Sequence, residues 1–404
     1  MISWLFLFII FHIAFKDIII SFFVSKSKIN SLITYICNDG GIAMKTKNIV
    51  IITMTIVIIG LISVYSSSHV WALYKYDDSL YYIKRQAIFA CIGVIGMYVT
   101  SRIDYHIYQK YDKMILGICF ILLIFVLIPG LGVVRGGSRS WFNFGVFAMQ
   151  PSELFKIGMI IYSADYIERN YYRMKKLRYA LFLLFVMGLG FLLIMLQPDF
   201  GSAVVMACSI VVMLIVSPFP FIYFIGLGIL AIIGIILMIL SAPYRMERIL
   251  SFLDPFQDPL GSGFQAIQSL FAIGPGGLLG VGFDKSIQKH FYLPEPQTDF
   301  IFAIVAEEFG FVGAAFLIGL YYMLLRTVLK VSCHTQDLFG SFLMIGIIAM
   351  IGIQTLINLG VVVGLLPVTG VTLPLMSYGG TSLTITLMSI GIVINISKYA
   401  NSML

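Results

Sequence analysis

Long apolar runs alternate with short polar connections over most of this chain of 404 residues. From residue 49 onward, about ten runs are long enough to cross roughly 30 Å of hydrocarbon as helices. They cover approximately 49–67, 86–100, 114–128, 152–166, 179–196, 200–216, 221–240, 300–325, 339–363 and 375–396. Because backbone polar groups find no water in lipid, each run must be helical. The pattern predicts an all-α integral membrane protein with about ten transmembrane helices.

Two polar connections, 130–151 and 241–298, are longer than the others. The densest basic cluster, 169–178, follows the fourth run, and basic residues usually mark cytoplasmic loops. Both long connections therefore fall on the outer side, with 241–298 as a large extracellular loop between the seventh and eighth helices. Within it, 244–254 suits a helix lying in the membrane interface, and 263–272 suits a segment that dips into a crevice or lines one.

The first 43 residues depart from the pattern of the rest of the chain. Their apolar stretch is interrupted by charged residues, among them Lys16 and Asp17, which are costly at the centre of a bilayer. Met44 stands just before the first clean apolar run. Our hypothesis is that residues 1–43 are an N-terminal extension outside the native protein, which would start at Met44, and that 44–404 form one ten-helix domain.

The composition supports a membrane protein and excludes several functions. Hydrophobic residues make up 60% of the chain and charged residues 11%, whereas soluble domains carry about a quarter charged residues. No P-loop or dinucleotide fingerprint is present, so neither ATP nor a nucleotide sugar has a predicted site. The net charge of +7 is attributed to basic cytoplasmic loops, and no nucleic-acid partner is expected. The five scattered cysteines are interpreted as small core residues.

Asp299 is the main candidate for chemistry in the outer loop. A polar segment broken by prolines ends there, and the apolar run 300–325 begins. A carboxylate at this boundary between water and hydrocarbon is suited to act as a general base. The alternative is that Thr298 or Asp299 merely caps the helix. Two other acids of this loop, Asp258 and Asp284, are interpreted as solvated surface charges.

Charged residues also occur inside the predicted spans. Glu153 and Lys156 lie three residues apart on one helical face, and we interpret them as a structural pair that pins the helix. Glu307 and Glu308 fall two turns into the eighth span, so at least one must face a polar cavity or a partner. His290 has no second histidine nearby and is assigned to the surface.

Further candidates lie on the predicted outer side. Asp199, between the fifth and sixth spans, is either a turn residue or a substrate contact. Arg135 and Arg139, beside Trp141, either hold an anionic diphosphate through their guanidinium groups or anchor the chain at the interface. Near the C-terminus, prolines and glycines over 364–382 break the helix at membrane depth, which indicates a central polar site.

Five short motifs are distributed along the chain: GSRSW at 137–141, QPSELFK at 150–156, QPDFG at 197–201, PEPQTDFIF at 294–302 and PLMSYGG at 374–380. Together these motifs resemble the SEDS family (shape, elongation, division and sporulation), the integral membrane peptidoglycan glycosyltransferases. The motifs occur in family order from residue 44 to the C-terminus. The sequence VTLP at 371–374 resembles the FtsW/SpoVE branch of division and sporulation proteins more than the RodA branch.

The resemblance implies an enzyme that polymerises lipid II into β-1,4 glycan strands at the outer face of the plasma membrane, during cell division or spore cortex synthesis. Undecaprenyl diphosphate would be released. Asp299 matches the essential acid of the family and would be the general base. The substrate-binding residues implied are Arg139, Trp141, Asp199, Glu295, Ser377 and Gly380. No cofactor is indicated, although Mg²⁺ or Mn²⁺ could help to neutralise the diphosphate.

Partners also follow from the resemblance. A class B penicillin-binding protein, which is a transpeptidase, is expected to dock on the membrane face, together with other divisome or sporulation membrane proteins at the septum. One competing hypothesis is a flippase that translocates lipid II, since ten spans with intramembrane charges suit it equally. Another is a scaffold that only recruits a transpeptidase. Asp299 beside a large outer loop favours polymerisation over both alternatives.

Overall fold

The computed structural model describes residues 46–135, 137–145, 148–240, 246, 250–261 and 263–402. The hypothesis about residues 1–43 and Met44 lies outside these ranges, and so do residues 244, 245 and 247–249 of the predicted interfacial helix at 244–254. The helices are α1 (Thr46–Tyr76), α2 (Tyr81–Thr100), α3 (His106–Lys110), α4 (Asp112–Leu127), α5 (Pro151–Arg169), α6 (Leu177–Met195), α7 (Phe200–Val216), α8 (Ile222–Leu240), α9 (Phe264–Gly276), α10 (Ile301–His334), α11 (Leu338–Val362) and α12 (Gly380–Ser402). Short 3₁₀ helices span Tyr171–Lys175 and Pro255–Gln257.

Each of the ten predicted apolar runs overlaps one helix of this set. Among the described residues, six helices are long and apolar enough to cross a membrane: α1, α2, α6, α10, α11 and α12. The shorter α7 is apolar as well. The prediction of an all-α, multi-pass membrane protein is therefore confirmed.

Helix α11 lies at the centre of the described bundle. It packs against α5, α7 and α10, and most of its side chains are buried. Helix α12 packs along α2 and also contacts α11. A polar side chain on α11 consequently faces protein and not lipid, which matters for the site described below.

A small antiparallel sheet occupies the outer connection between α4 and α5, where the pattern of apolar runs indicated only a polar segment. Its strands are β1 (Gly132–Arg135), β2 (Ser138–Asn143) and β3 (Ala148–Met149), in the order β1-β2-β3. Thr381 at the start of α12 donates a hydrogen bond to the Ala148 carbonyl over 2.7 Å. The sheet is thereby attached to the first turn of the last helix.

Helix α10 is broken at Gly310, which has φ 63° and ψ −158°. A Cβ there would lie 2.3 Å from the Gly280 nitrogen, so only glycine fits both the conformation and the space. The carbonyls of Glu307 and Glu308 accept hydrogen bonds from the amides of Val281 and Gly282, each over 3.0 Å. The outer loop thus supplies donors that the interrupted helix cannot supply itself.

The segment 263–272, predicted to dip into a crevice or line one, forms most of α9 (Phe264–Gly276), which packs against α10. The buried hydroxyl of Ser269 donates to the Val362 carbonyl at the end of α11 over 2.7 Å. Ala272 is fully buried, whereas Phe271 is exposed. The outer loop is therefore built into the helical bundle on one face.

Candidate active site

Asp299 lies in the turn that leads into α10, and its side chain is half-buried. The Thr298 hydroxyl oxygen is 2.9 Å from Asp299 Oδ1. The N-cap position of α10 belongs to Phe300 and has no side-chain cap hydrogen bond. Asp299 and Thr298 therefore do not hold the N-cap position that the alternative interpretation assigned to them.

Asn358 on α11 fixes the backbone at Asp299. Its side-chain nitrogen donates to the Asp299 carbonyl over 2.7 Å and to the Val371 carbonyl over 2.8 Å. Asn358 is 1% exposed. One side-chain amide thus ties the loop before α10 to the broken segment after α11, in a setting where hydrogen bonds are strengthened by the low dielectric.

Gln354 lies one turn earlier on the same face of α11 and makes the corresponding link to α5. Its side-chain nitrogen donates to the Thr372 carbonyl over 3.1 Å, and its oxygen accepts from Lys156 Nζ over 3.1 Å. Lys156 Nζ is also 2.8 Å from Glu153 Oε1. The Glu153 and Lys156 pair, predicted from spacing, is buried and connects through Gln354 to the segment that Asn358 holds.

The segment between α11 and α12 meets the Asp299 loop directly. The Tyr378 amide donates to the Gln297 carbonyl over 2.8 Å. The hydroxyl oxygen of buried Ser377 accepts from the Leu373 amide over 2.8 Å, which closes the turn. A Cβ at Gly380 would lie 2.5 Å from the Phe89 ring. The structure therefore gives Ser377 and Gly380 packing and backbone contacts within the protein.

Asp199 joins two of the motifs. It is the N-cap of α7, where its side chain accepts from the Ser202 amide over 3.2 Å. Its other oxygen accepts from Gln150 over 2.7 Å and from the Ser152 hydroxyl over 3.0 Å. Of the two earlier readings of Asp199, the geometry favours the turn residue, since the carboxylate holds the start of α5 to that of α7.

Three other predicted substrate contacts lie nearer the surface. Arg139 and Trp141 are on β2 and half-buried, and one Arg139 guanidinium nitrogen is 3.5 Å from the Leu127 carbonyl. Glu295 is exposed in the Asp299 loop, with a positive φ of 43°. Its carboxylate lies within electrostatic range of Tyr82 on α2. The Arg135 side chain lies outside the described part of the chain.

A second polar cluster surrounds the buried pair Glu307 and Glu308. Glu308 Oε1 accepts from the Ser66 hydroxyl over 2.5 Å and lies 3.4 Å from Lys289 Nζ. Glu307 accepts from the Ser286 hydroxyl over 2.5 Å and from the Ile287 amide over 2.8 Å. Both carboxylates thus have partners, as required of intramembrane acids.

The neighbours of that cluster differ in exposure. Lys289 is 1% exposed and also bonds Asp284, so Asp284 is an exposed but paired acid and not simply a solvated one. His290 is exposed, as predicted. Asp258 is exposed too.

Sequence reasoning missed Asn358, Gln354 and Lys289 as organising residues. The available signal was the i, i+4 spacing of two amide side chains within the otherwise apolar run 339–363. In a membrane helix, such spacing indicates a polar face turned toward protein.

Comparison with known proteins supplies the family. The sequence profile described as cell cycle protein, covering FtsW, RodA and SpoVE, matches residues 46–402. The chain belongs to the FtsW/RodA/SpoVE family. It is 50% identical over 357 residues to stage V sporulation protein E of Bacillus subtilis (strain 168), covering 87% of this chain and 96% of that protein.

Other members of the FtsW/RodA/SpoVE family give a consistent result. The chain is 39% identical over 343 residues to the probable peptidoglycan glycosyltransferase FtsW of Trichlorobacter lovleyi, covering 84% of this chain and 89% of that one. These identities agree with the FtsW/SpoVE resemblance inferred from residues 371–374.

Solved structures of family members have the same fold. One, described as a peptidoglycan synthase complex that coordinates polymerization and crosslinking, has a chain 32% identical to this one, with a TM-score of 0.71 and coverage of 87% of this chain and 97% of that chain. The rod shape determining protein RodA of Thermus thermophilus is 26% identical, with a TM-score of 0.63 and coverage of 87% and 95%.

Proposed function

We propose that this chain is a peptidoglycan glycosyltransferase that polymerises lipid II at the outer face of the plasma membrane. The observation that carries this proposal is the placement of Asp299: a half-buried carboxylate at the predicted outer end of α10, with its backbone held by Asn358. The relative named probable peptidoglycan glycosyltransferase FtsW is 39% identical to this chain over 343 residues, which is 84% of its length.

The reaction requires one proton acceptor. The oxygen of the 4-hydroxyl group on the acceptor sugar attacks the anomeric carbon of the donor sugar, and the bond from that carbon to the diphosphate breaks. Asp299 takes the hydroxyl proton, and undecaprenyl diphosphate leaves with the electron pair of the broken bond. Attack from the face opposite the leaving group inverts the anomeric carbon and yields a β-1,4 linkage.

The exposed and half-buried residues around this centre are proposed to meet substrate. Glu295 lies in the same loop as Asp299, and Arg139 and Trp141 lie on β2. The proposed contributions of Asp199, Ser377 and Gly380 are indirect, because their contacts in this structure hold backbone turns and helix ends.

The test is polymerisation of labelled lipid II by the purified full chain together with its cognate transpeptidase, comparing wild type with Asp299→Asn. Asp258→Asn is the matched control, since it removes an exposed acid of the same loop. Loss of glycan strands only in Asp299→Asn, with unchanged size-exclusion behaviour, supports the proposal. Equal polymer from all three proteins would remove Asp299 as the base. Absence of polymer together with lipid II translocation in liposomes would favour the flippase.

A class B penicillin-binding protein is the proposed partner, at the division or sporulation septum. Support comes from the similar chain in the complex that couples polymerization with crosslinking, and from the 50% identity with a sporulation protein. Co-purification with each transpeptidase of the source cell, and fluorescence imaging of a tagged chain during division and sporulation, test the partner and the location.

A further inference from the structure

We infer that Arg85, on the first turns of α2, is an anion-binding residue that holds the diphosphate of the lipid-linked substrate. This inference rests on the proposed function, because the diphosphate belongs to the donor in that reaction. Arg85 is in none of the motifs discussed above, and the sequence alone drew no attention to it.

The Arg85 guanidinium is held in place by aromatic rings. It lies 4.5 Å from the centroid of the Tyr81 ring, a distance typical of a cation–π contact. Tyr81 in turn stacks on Tyr76, with ring centroids 3.7 Å apart. A guanidinium supported in this way loses less side-chain entropy when it binds a ligand than one on an unsupported chain.

The same side chain borders the candidate active site. The Arg85 guanidinium lies within electrostatic range of the Tyr378 hydroxyl, and the Tyr378 amide donates to the carbonyl of Gln297, two residues before Asp299. The next residue, Gln86, is 1% exposed and donates to the Ser377 carbonyl over 2.9 Å. The start of α2 is therefore attached to the segment after α11, on the side where the Asp299 loop lies.

The charge of Arg85 is available to a ligand. Its side chain is exposed, and no acidic group among the described residues lies within ion-pair distance of it. Its neighbour Lys84 is paired with Asp78 over 2.8 Å, and Lys289 is buried against Asp284. Of these three cations, Arg85 alone combines exposure, support by an aromatic ring and proximity to the Asp299 loop.

The chemistry of the reaction requires such a group. Negative charge accumulates on the diphosphate as its bond to the sugar breaks, and a fixed cation stabilises that charge in the transition state. Guanidinium groups match the oxygens of phosphates through paired hydrogen bonds. Headgroups of anionic bilayer lipids have the same phosphate chemistry, so the experiment must separate the two sources.

The chain offers a matched control at the other end of the same helix. Arg102 follows α2 and lies 5.2 Å from the Tyr98 ring centroid, so the Arg–Tyr arrangement is repeated away from the Asp299 loop. Binding of a fluorescent polyprenyl diphosphate without sugars is measured on the full chain in phosphatidylcholine nanodiscs. The variants compared are Arg85→Gln, Arg85→Lys, Tyr81→Leu and Arg102→Gln.

Arg85→Gln is expected to raise the Kd about tenfold or more, because a charge-assisted contact is lost. Arg85→Lys keeps the charge but loses the planar fork, and Tyr81→Leu keeps Arg85 but loses its ring support. Both substitutions should raise the Kd less than Arg85→Gln does, and Tyr81→Leu should raise it by about two- to fivefold. Arg102→Gln should leave Kd unchanged. Equal Kd values for wild type and Arg85→Gln would overturn the assignment. So would an equal loss of affinity in Arg85→Gln and Arg102→Gln.

A second arm replaces half of the phosphatidylcholine by phosphatidylglycerol. We expect Kd for the wild type to stay within about twofold; competition by phosphatidylglycerol that disappears in Arg85→Gln would instead assign Arg85 to bilayer headgroups. The binding assay needs no turnover, so it tests the role of Arg85 separately from the proposed glycosyltransferase function. If the wild type binds the polyprenyl diphosphate through Arg85 but forms no polymer, only the proposed function is overturned. Polymer formation with unchanged binding in Arg85→Gln would overturn only the role of Arg85.

Discussion

The side-chain nitrogen of Asn358, on the central helix α11, lies 2.7 Å from the backbone carbonyl oxygen of Asp299, the candidate base. The contact restrains the backbone at Asp299 and does not involve its carboxylate. It makes Asn358 a positioning residue in the proposed reaction.

Replacing Asn358 by leucine should lower both stability and turnover. The carbonyls of Asp299 and Val371 lose their donor, and each unsatisfied buried group costs about 1–3 kcal/mol of unfolding free energy. We expect kcat to fall at least tenfold with KM within about threefold, because orientation of the base is lost rather than substrate binding. Lipid II polymerisation kinetics and thermal unfolding in detergent measure the two effects.

Thr355→Val is the control for that substitution. Thr355 is also buried on α11, but among the described residues its hydroxyl donates to the Ile351 carbonyl of the same helix and not to the Asp299 loop. Thr355→Val should retain the kcat of the wild type. Equal losses of kcat in Thr355→Val and Asn358→Leu would mean that general disturbance of α11, and not the contact with Asp299, limits the reaction.

The pair of Glu153 and Lys156 allows a test by double substitution. Lys156→Met leaves the Glu153 carboxylate buried without its cation, which should reduce the unfolding free energy by about 3–5 kcal/mol. Glu153→Gln combined with Lys156→Met removes both charges and should recover most of that loss. Thermal unfolding of the purified single and double variants decides; a double variant as unstable as the single one would contradict this account of the pair.

Asp199→Ala should weaken the start of α7. Loss of an N-cap side chain typically costs about 0.5–2 kcal/mol, and here Gln150 and Ser152 lose their acceptor as well. We expect a lower unfolding temperature and, per folded molecule, turnover within about threefold of wild type. If Asp199→Ala folds normally yet loses turnover, Asp199 contacts substrate, as the alternative reading of the sequence allowed.

Gly310→Ala should lower the stability of the fold far more than substitution of another glycine in α10. The backbone at Gly310 has a φ of 63°, and a Cβ there would contact the backbone of Leu278 and Gly280. The strain alone costs about 1–3 kcal/mol, before the contact is counted. Gly319→Ala in the same helix meets nothing within 4 Å and serves as the control. Yield of folded protein and unfolding temperature compare the two; similar values would refute the requirement for glycine at Gly310.

Much of the architecture was predictable because lipid imposes one rule on every span. Runs of apolar residues long enough to cross the bilayer must form helices, so the pattern located the spans without any knowledge of packing. Asp299 was found for a related reason, since a carboxylate directly before such a run lies at the boundary with water.

The internal contacts could not be read from the same pattern. Asn358 and Gln354 sit in a run whose average hydropathy is high, and nothing in that average shows which residues face protein. The break at Gly310 could not be predicted from the apolar pattern, because the amides that bond the freed carbonyls of α10, those of Val281 and Gly282, belong to a distant loop. The prediction treated 300–325 as one continuous span for that reason.

The interruption of α10 has a consequence for biogenesis. Gly310 follows nine helical residues, which places the break about 14 Å from the start of the helix at 1.5 Å per residue. The freed carbonyls of Glu307 and Glu308 cannot face hydrocarbon without donors. Residues 277–282 are synthesised before α10, and their amides must reach the depth of the break before these carbonyls are satisfied. We therefore expect the insertion of α10 into the bilayer to be coupled to the insertion of this preceding segment.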